Sequence, residues 1–364
     1  MLDYRIYQDC FSSAAMRDTW SEQTTLATWL KVEQVLSHCQ ADAGLIPLTV
    51  SESLGRLTID DLDQERLHQD MMLVGRPIVG LVKQLRELMG EQAPYVHYHS
   101  TTQDIMDTAL AIQMKQGLDD IKLSIARIVA SIKRHIEAHQ TTLLIGRTNG
   151  QHALPITLAQ KLELWHNELI RRQQAITEAA QRGLNVQVAG SVGNLHQYQG
   201  DSGQIVKQAM ANKLGLGTTP LHWQNARDGL ADIVMALGGL CASLCKISHN
   251  INLLASSDVG ELSEAYTDGQ GASSSMPHKK NQRISEFGEA VARLGRQRSE
   301  QIGELILHEH ERSGGMWIAE WLVVPEAFLL TSGALAWLEK MFENLIVHED
   351  VMSLTVQKAT GANA

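Results

Sequence analysis

The sequence predicts an all-α protein built around a bundle of long helices. Apolar side chains recur every three or four residues along its clearest stripe, which contains Ile121, Ile125, Ile128, Ile132 and Ile136. Only 7 prolines occur in 364 residues and aromatic residues make up 5% of the chain, which favours long helices over many short strands. Long helices joined by short connections are typical of helical bundles.

Each predicted helix follows from its own pattern. Shorter patterns come first, such as residues 24–43, and the isoleucine stripe then extends into a long helix over residues 105–139. A second long helix is expected to begin near Pro155, because proline suits the first turn of a helix, and to end at about Arg182. Three further long helices are predicted over residues 226–256, 281–309 and 319–348.

These patterns divide the chain into three predicted units. Residues 1–103 form a small N-terminal helical domain, because their helical patterns are short and are broken by the stretches GLIP and GEQAPYVHYHSTTQD. Residues 104–346 form the central helical-bundle domain. Residues 347–364 are expected to begin a truncated C-terminal domain that is largely absent, because the final KATGANA lacks a cap or a compact closing element.

The composition argues against some classes of partner. The formal net charge of −10 makes nucleic acid an unsuitable ligand, since phosphate binding depends on clustered Lys and Arg. A small anionic substrate is compatible with this charge, because it needs only a locally positive pocket. The two most apolar stretches, residues 230–247 and 321–338, contain charged residues or a proline. We therefore interpret them as helices buried in the bundle and expect no membrane span.

The cysteines and the N-terminus bear on the compartment. Four cysteines, Cys10, Cys39, Cys241 and Cys245, are too few and too scattered for a disulfide framework, so we expect small buried thiols in a reducing cytosol. The start, MLDYRIYQDC, has no basic region followed by an apolar stretch, which predicts that there is no signal peptide. The expected location is the cytoplasm.

Two polar stretches before residue 160 interrupt the apolar pattern. HYHSTTQD, residues 97–104, places hydroxyls and backbone amides at a predicted helix start, which suits an anion, although a helix cap beside solvent-facing histidines is the commoner explanation for this spacing. GRTNGQHALP, residues 146–155, offers Arg147 for a carboxylate, whereas an inter-helix turn is the commoner explanation there.

Two further polar stretches follow in the second half. HEHERSGGMWIAEW, residues 308–321, surrounds a helix break, and the spacing of His308 and His310 does not match the HExxH pattern, so no zinc site is expected. GASSSMPHKKN, residues 271–281, combines glycine with three hydroxyls, a lysine and an asparagine beside a helix start. Its plainer interpretation is a flexible surface loop with a helix cap.

Three of these stretches together resemble a known family. SSSMPHKKN closely resembles the signature loop of the fumarase/aspartase superfamily, and HSTTQDIMDTA and GRTNGQHALPIT resemble its two upstream regions, in the same order. The resemblance covers nearly the whole chain from TWLKVEQVLSHCQADAGLIP onward. It implies an L-aspartase-like fold, a homotetramer whose active sites combine residues of three subunits, and a C-terminal helical domain after about Ile346 that is absent here.

The resemblance also implies the chemistry. Members add or eliminate a group across a C–C bond beside a carboxylate, through a carbanion delocalised as an aci-carboxylate, and donors aimed at that charge lower the barrier most. No metal or organic cofactor is expected, and the substrate is a small di- or tricarboxylate. Ser273 is the implied proton-transfer residue, and Lys279 and Asn281 would stabilise the aci-carboxylate. The implied substrate-binding residues are Thr101, Thr102, Gln103, Arg147, Gln151 and Arg312.

Departures from the family pattern favour one branch. Many members have histidine where this chain has Asn149, and adenylosuccinate lyases have arginine at the position of Trp321, so both residues argue against a nucleotide substrate. EHERSGGMWIAEWLVVPE and HWQNARD resemble the 3-carboxy-cis,cis-muconate cycloisomerases instead, which form a lactone and also lack that histidine. Three positions depart from this branch: His99 stands where glycine is common, Gln224 where histidine is common and Gln282 where proline is common.

Three functions therefore stay open at the level of the sequence. The first is a cycloisomerase acting on a muconate-type tricarboxylate. The second is a lyase, adenylosuccinate lyase-like or otherwise, that releases fumarate from another substrate, as the divergent His99, Asn149 and Gln224 would suggest. The third is a non-catalytic structural homologue, which the intact Ser273, Lys279 and Asn281 argue against and the short C-terminus favours.

Overall fold

The computed structural model describes residues 4–265, Met276 and residues 279–361. Within these residues the α-helices are α1 (Gln8–Phe11), α2 (Ala14–Thr19), α3 (Glu22–Asp42), α4 (Leu48–Leu54), α5 (Gln64–Val74), α6 (Pro77–Met89), α7 (Thr102–Ala138), α8 (Leu158–Gly183), α9 (Ser202–Leu214), α10 (Asp228–Leu254), α11 (Arg283–Glu300), α12 (Ile302–Leu305), α13 (Gly314–Glu343) and α14 (Glu349–Thr360). The strands are β1 (Leu143–Thr148), β2 (Gln151–Thr157), β3 (Leu262–Glu264) and β4 (Leu345–Val347), and two 3-10 turns cover Ile59–Asp61 and Gly90–Tyr95. The predicted all-α class is confirmed, with two small antiparallel sheets added.

Helix α7 is the longest element and fixes the length of the bundle. It has 37 residues, which corresponds to about 55 Å. A capping box between Thr101 and Asp104 starts it, because the Asp104 carboxylate accepts the Thr101 backbone N–H at 3.1 Å. The predicted isoleucine stripe is buried except for Ile136, which is half-buried. The prediction over residues 105–139 is thus confirmed, with the start three residues earlier.

The bundle consists of α7, α8, α10, α11 and α13, which pack lengthwise around one core. Each fully buried Leu or Ile side chain contributes about 1.5–3 kcal/mol of transfer free energy, so the continuous stripes account for the helical packing. The central members of this core are Ile121, Ile125, Ile128, Leu162, Leu169, Leu237, Leu244, Val291, Phe328 and Leu335.

A second core lies at the N-terminal end of α7. Helices α3 and α6 are its largest contributors, α4 adds Val50 and Leu54, and the later helix α9 joins them with Val206 and Met210. Helix α9 has no counterpart among the predicted helices. The division of the chain into three domains is a separate question and stays a prediction.

The stretch GRTNGQHALP forms a β-hairpin, which corrects the expected helix start at Pro155. Strands β1 and β2 pair with a two-residue turn, and Asn149 and Gly150 have φ of 52° and 76°, the positive values that a type I′ hairpin turn requires. Pro155 lies inside β2 opposite Ile145. The helix begins after it, at Leu158, because the Thr157 side chain accepts the Gln160 backbone N–H and caps α8.

Two other boundaries differ from the prediction. The helix expected over residues 281–309 ends at Glu300, and the short α12 follows. The helix expected over residues 319–348 starts earlier, at Gly314, and continues through Pro325. An internal proline removes one backbone hydrogen bond, and here the surrounding buried residues of α13 keep the helix continuous.

Two helices of the described residues are long and apolar enough to cross a membrane. They are α10 and α13, with mean hydropathy of 1.8 and 1.5 in their most apolar windows. In both windows 61% of the residues are buried inside the fold. The expectation that no membrane is involved stays a prediction.

Candidate active site

The predicted site residues fall into three groups that lie at different places. We call Thr101, Thr102, Gln103 and Arg312 the helix-start cluster, Arg147 with Gln151 the hairpin pair, and Lys279 with Asn281 the loop pair. The predicted proton-transfer residue, Ser273, lies outside the described residues.

The helix-start cluster joins two helix N-termini. Thr101 precedes the first residue of α7, and Arg312 lies two residues before α13. Arg312 Nη1 donates to Thr101 Oγ1 at 3.0 Å, so residues 211 positions apart in sequence come into contact. Thr102 is half-buried beside them. Free backbone N–H groups and a guanidinium at one place favour a bound anion.

Gln103 and Asp104 form the buried wall behind this cluster. Gln103 is fully buried and its amide donates to the Gln224 carbonyl at 2.9 Å, so its contact with a substrate stays a prediction. Asp104 accepts the backbone N–H groups of Ala189 and Gly190 at 3.1 and 3.0 Å. Burial raises the pKa of Asp104 to about 7, in spite of these donors.

Gln224, in the HWQNARD stretch, packs against Asp104 in the same buried wall. Its amide donates to Asp104 Oδ1 at 3.3 Å and to the Gly190 carbonyl at 2.8 Å. A histidine is common at this position in the cycloisomerase branch, and the glutamine supplies two donor hydrogens to acceptors that the fold already buries. The departure at Gln224 therefore has a structural explanation.

A buried ion network that the sequence did not reveal lies beneath the cluster. Arg227 donates to both oxygens of Asp107, at 2.7 and 3.1 Å, and to both oxygens of Glu320, at 3.0 and 2.5 Å. Although burial alone lowers the pKa of Arg227, the two carboxylates raise it, so the guanidinium stays charged. His308 extends the network, with its Nε2 at 3.4 Å from Glu320 Oε1.

This network joins the two stretches that marked the cycloisomerase branch. Arg227 comes from HWQNARD and Glu320 from HEHERSGGMWIAEW, and the Asn225 side chain also donates to the His310 carbonyl. Their co-occurrence in the sequence was the available signal, but no local spacing reveals that they meet. The network holds residues 306–313, and with them Arg312, against the start of α7.

Two histidines beside the cluster have altered acidity. Burial, assisted by the nearby Lys207, lowers the pKa of His222, and the opposing effect of Glu311 is smaller. Burial alone would also lower the pKa of His97, but a 2.6 Å hydrogen bond to the buried Glu33 raises it instead. His97 is thus an ion-pair partner, whereas the lowered pKa of His222 favours its neutral form.

A cavity of about 310 Å³ borders the ion network. Aromatic side chains dominate its lining, and its one carboxylate, Asp107, is already bound by Arg227. No arginine, lysine or histidine is among the lining residues, so the cavity offers an anionic substrate no cation. Its described lining is Trp20, Thr25, Trp29, Pro77, Met106, Asp107, Leu110, Gln113, Trp317, Trp321 and Pro325.

The hairpin pair lies elsewhere and its arginine is already matched. Arg147 donates to both carboxylate oxygens of Glu261, at 2.9 and 2.7 Å, and Glu261 is fully buried. Gln151 is exposed on the first position of β2. The guanidinium therefore holds β1 against the segment that leads into β3, and its contact with substrate stays a prediction.

The loop pair lies just before α11. Lys279 is exposed and its backbone N–H donates to the Met276 carbonyl at 3.0 Å, and Asn281 is half-buried. Gln282, at a position where proline is common in the family, accepts the Glu264 backbone N–H at 2.8 Å, while Glu264 caps α11 through two backbone N–H groups. A cavity of about 170 Å³ is lined by Asn281, Gln282 and Glu264, among others.

The helix-start cluster is too far from the other two groups in one chain to contact the same small molecule. The helix-start cluster lies at the N-terminus of α7, and Arg147 follows the C-terminus of this helix of about 55 Å by nine residues, which span at most about 32 Å. Arg312 likewise precedes α13, which is about 45 Å long, whereas Ala265, near the loop pair, bonds to Asn344 beyond its far end.

Comparisons with known proteins agree with this architecture. A protein-family model described as "Lyase" matches residues 12–293. The chain is 31% identical to trans-aconitate decarboxylase 1 of Mycosarcoma maydis, over 97% of this chain and 72% of that protein. It is 31% identical to 3-carboxy-cis,cis-muconate cycloisomerase of Acinetobacter baylyi, over 98% and 80%.

Further similarities include a lyase and a solved structure. The chain is 28% identical to N-acetyl-S-(2-succino)cysteine lyase of Dickeya dadantii, over 99% of this chain and 80% of that protein. The crystal structure of β-carboxy-cis,cis-muconate cycloisomerase from Acinetobacter calcoaceticus superposes with a TM-score of 0.91 and 28% identity, over 98% of this chain and 81% of that one.

Proposed function

The chain belongs to this lyase family, within the fumarase/aspartase superfamily, and is an enzyme, either a lyase or a cycloisomerase; on this premise we propose that it is a cycloisomerase acting on 3-carboxy-cis,cis-muconate or a closely related tricarboxylate. The observation that carries the proposal is the contact between Arg312 and Thr101 at two helix N-termini. Among the described residues Arg312 has no carboxylate partner, and an arginine placed at two helix N-termini suits one carboxylate of such a substrate.

In the proposed reaction a substrate carboxylate attacks its own diene. A C–O bond forms, the π electrons move to the carbon beside another carboxylate, and that group becomes an aci-carboxylate dianion. Lys279 and Asn281 stabilise this charge, which is larger in the transition state than in the substrate. The Ser273 hydroxyl then gives its proton to that carbon and regains one from water, so the trianionic substrate takes up one proton and the product is a dianionic lactone.

The distances within the chain support assembly of the site from several copies. The helix-start cluster and the hairpin pair lie near opposite ends of α7, farther apart than a small tricarboxylate extends. A homotetramer in which the clusters of different subunits meet would bring them together. The proposal therefore includes a homotetramer with shared active sites, working without a metal or organic cofactor.

The test is the ultraviolet absorbance of 3-carboxy-cis,cis-muconate mixed with the purified protein. Lactonisation removes the conjugated diene, so the absorbance falls at a rate proportional to enzyme concentration. In Ser273→Ala the rate should drop by at least about a hundredfold, as is typical when a proton-transfer group is lost. Ser256→Ala, which removes a surface hydroxyl bonded to the Leu253 carbonyl, is the matched control and should keep full activity.

The oligomer has to be measured in the same samples. Sedimentation should give a tetramer for the wild type and for both variants. An unchanged absorbance with an intact tetramer rejects the cycloisomerase assignment, and a rate unaffected by Ser273→Ala rejects the role of that serine.

A fumarate-releasing lyase is the second candidate, because a relative of 28% identity is named an N-acetyl-S-(2-succino)cysteine lyase. Formation of fumarate from S-(2-succinyl) or N-succinyl compounds, without consumption of the muconate, would decide for the lyase.

A further inference from the structure

Arg76 is a cation that none of the family-like stretches contains. It precedes the first residue of α6 and is half-buried. Its Nη1 donates to the Gly75 carbonyl at 2.6 Å, and its Cζ lies 5.5 Å from the centroid of the Trp317 ring. Within the described part of the chain no carboxylate lies within 4 Å of its guanidinium, in contrast to Arg147 and Arg227.

The guanidinium of Arg76 faces the same segment that carries Arg312. A Cβ atom placed on Gly314 would lie 3.5 Å from Arg76 Nη2. Gly314 follows Arg312 by two residues, so the two Cα atoms are at most about 7 Å apart. Since Arg312 reaches Thr101, Arg76 and Arg312 lie on neighbouring segments near the starts of α7 and α13.

The orientation of Arg76 is set by a ring that is itself held in place. Trp317 is 2% exposed and its Nε1 donates to Asp107 Oδ1 at 3.3 Å. Asp107 in turn forms an ion pair with Arg227, so the Trp317 ring is held in place. The Asp107 carboxylate is already matched by this cation and does not pair with Arg76. A guanidinium stacked on an indole keeps its in-plane N–H groups available for a carboxylate.

The acidic residues nearby have other neighbours. Glu309 accepts a hydrogen bond from the Ser313 hydroxyl at 3.3 Å, and Glu33 binds His97. Glu311 lies close enough to His222 to influence its pKa. Among the described residues the guanidinium of Arg76 therefore has no ion-pair partner and is available to a carboxylate ligand.

We propose that Arg76 binds a second carboxylate of the substrate and so makes the site selective for tricarboxylates over dicarboxylates. The inference rests on the proposed function, in which Arg312 and Thr101 bind the first carboxylate. It adds the residue that recognises the third carboxylate, because a molecule with one carboxylate on Arg312 and one at the reacting carbon needs a third to use Arg76.

Calorimetric titration with tricarballylate and glutarate tests the proposal, since the two ligands differ only in the middle carboxylate. The wild-type full chain should bind tricarballylate more tightly than glutarate by about tenfold or more, the usual effect of a hydrogen-bonded charge. In Arg76→Gln the affinity for tricarballylate should fall to that for glutarate, and glutarate binding should not change. Arg76→Lys should restore part of the preference.

The controls distinguish a failure of the role of Arg76 from a failure of the proposed function and from a misfolded variant. Arg66→Gln, which removes a surface arginine paired with Glu87, should bind both ligands as the wild type does. Arg312→Gln should weaken both ligands. If it does so while Arg76→Gln keeps the preference, the role of Arg76 is wrong and the proposed site stands.

Two other outcomes are equally decisive. An equal loss of both ligands in Arg76→Gln, with an unchanged thermal unfolding curve, means that Arg76 is not selective and overturns the proposal. If the wild type binds neither ligand while folded and tetrameric, the proposed function and the role of Arg76 both fail.

Discussion

The two ends of the helical bundle use their arginines in opposite ways. At the start of α7 and α13, Arg312 and Arg76 have no carboxylate partner within ion-pair distance among the described residues, and Arg312 contacts the Thr101 hydroxyl. At the other end, both carboxylate oxygens of the buried Glu261 bind Arg147. A guanidinium matched in this way has little binding capacity left, whereas an unmatched one keeps its charge for a ligand.

Paired and unpaired arginines also differ in burial at the end of the bundle where α7 and α13 begin. Arg227 lies beneath the surface arginines and is fully paired with Asp107 and Glu320. Its partners position Trp317 and the segment of Arg312, so the paired arginine supports the unpaired ones. The groups that surround each arginine thus divide these residues into two sets. Arginines paired with carboxylates support the structure, and the unpaired ones are proposed to bind a ligand.

The largest effect is expected where the supporting network is broken. Arg227→Met should lower the free energy of unfolding by about 3–5 kcal/mol, because it leaves two buried carboxylates without compensation. Arg182→Met is the control, since Arg182 binds Asp232 on the surface with side chains 60% and 43% exposed, and should cost at most about 1 kcal/mol. Urea unfolding measures both, and similar losses in the two variants would contradict the assigned role of the network.

Asp104 provides a pH test of the same end. Its pKa is raised to about 7 from an ordinary value of 3.8, so the folded state binds more protons than the unfolded state between these values. The stabilisation is complete below the unfolded pKa and is lost as the pH rises through about 7. Between about pH 4.5 and about pH 6.5 the free energy of unfolding should lose up to about 1.4 kcal/mol per pH unit through this group.

The comparison for this pH test is Asp104→Asn, which cannot titrate. The variant is less stable overall, because an amide nitrogen cannot accept the N–H groups of Ala189 and Gly190, so the slopes and not the absolute values are compared. Identical slopes for wild type and variant below pH 6.5 would show that Asp104 is ionised throughout. His97, whose pKa is also raised, affects the slope only above about its ordinary value of 6.5.

Exchanging one arginine at each end tests the opening contrast directly. Arg147→Gln should lower the free energy of unfolding by about 2 kcal/mol, because the buried Glu261 loses its partner. The loss is smaller than for a fully buried pair, since the Arg147 side chain is 23% exposed. Arg312→Gln should change stability by less than about 0.5 kcal/mol but lower kcat/KM by about tenfold or more. If Arg312→Gln destabilises the protein as much as Arg147→Gln does, the division into supporting and ligand-binding arginines is wrong.

The sequence predicted the parts of the fold that depend on local repetition. The stripe from Ile121 to Ile136 indicated α7 because a period of three to four residues directly reports a buried helix face. The hairpin was missed because its strands are short and Pro155 suits the first turn of a helix as well as an edge strand. Helix α9 was missed too, although its start at Ser202 follows a run of turn residues.

The site was predictable in its residues but not in its arrangement. Family-like stretches indicated Thr101, Arg147 and Lys279, yet no local pattern reveals that Arg312 meets Thr101 or that Glu261 meets Arg147. Arg76 carries no motif at all, and it became a candidate only because the fold places it on Trp317. Contacts between distant positions are set by the packing of whole helices, and a single sequence does not display them.

The smallest predicted effect tests whether backbone geometry explains Asn149, the residue that replaces the family histidine. Asn149 has φ of 52°, and asparagine tolerates this left-handed region better than other residues except glycine. Asn149→Ala should therefore cost about 1 kcal/mol in thermal unfolding, and Asn149→Gly should be close to neutral. A larger loss in Asn149→Gly than in Asn149→Ala would mean that the asparagine side chain, and not the turn, is what this end of the bundle requires.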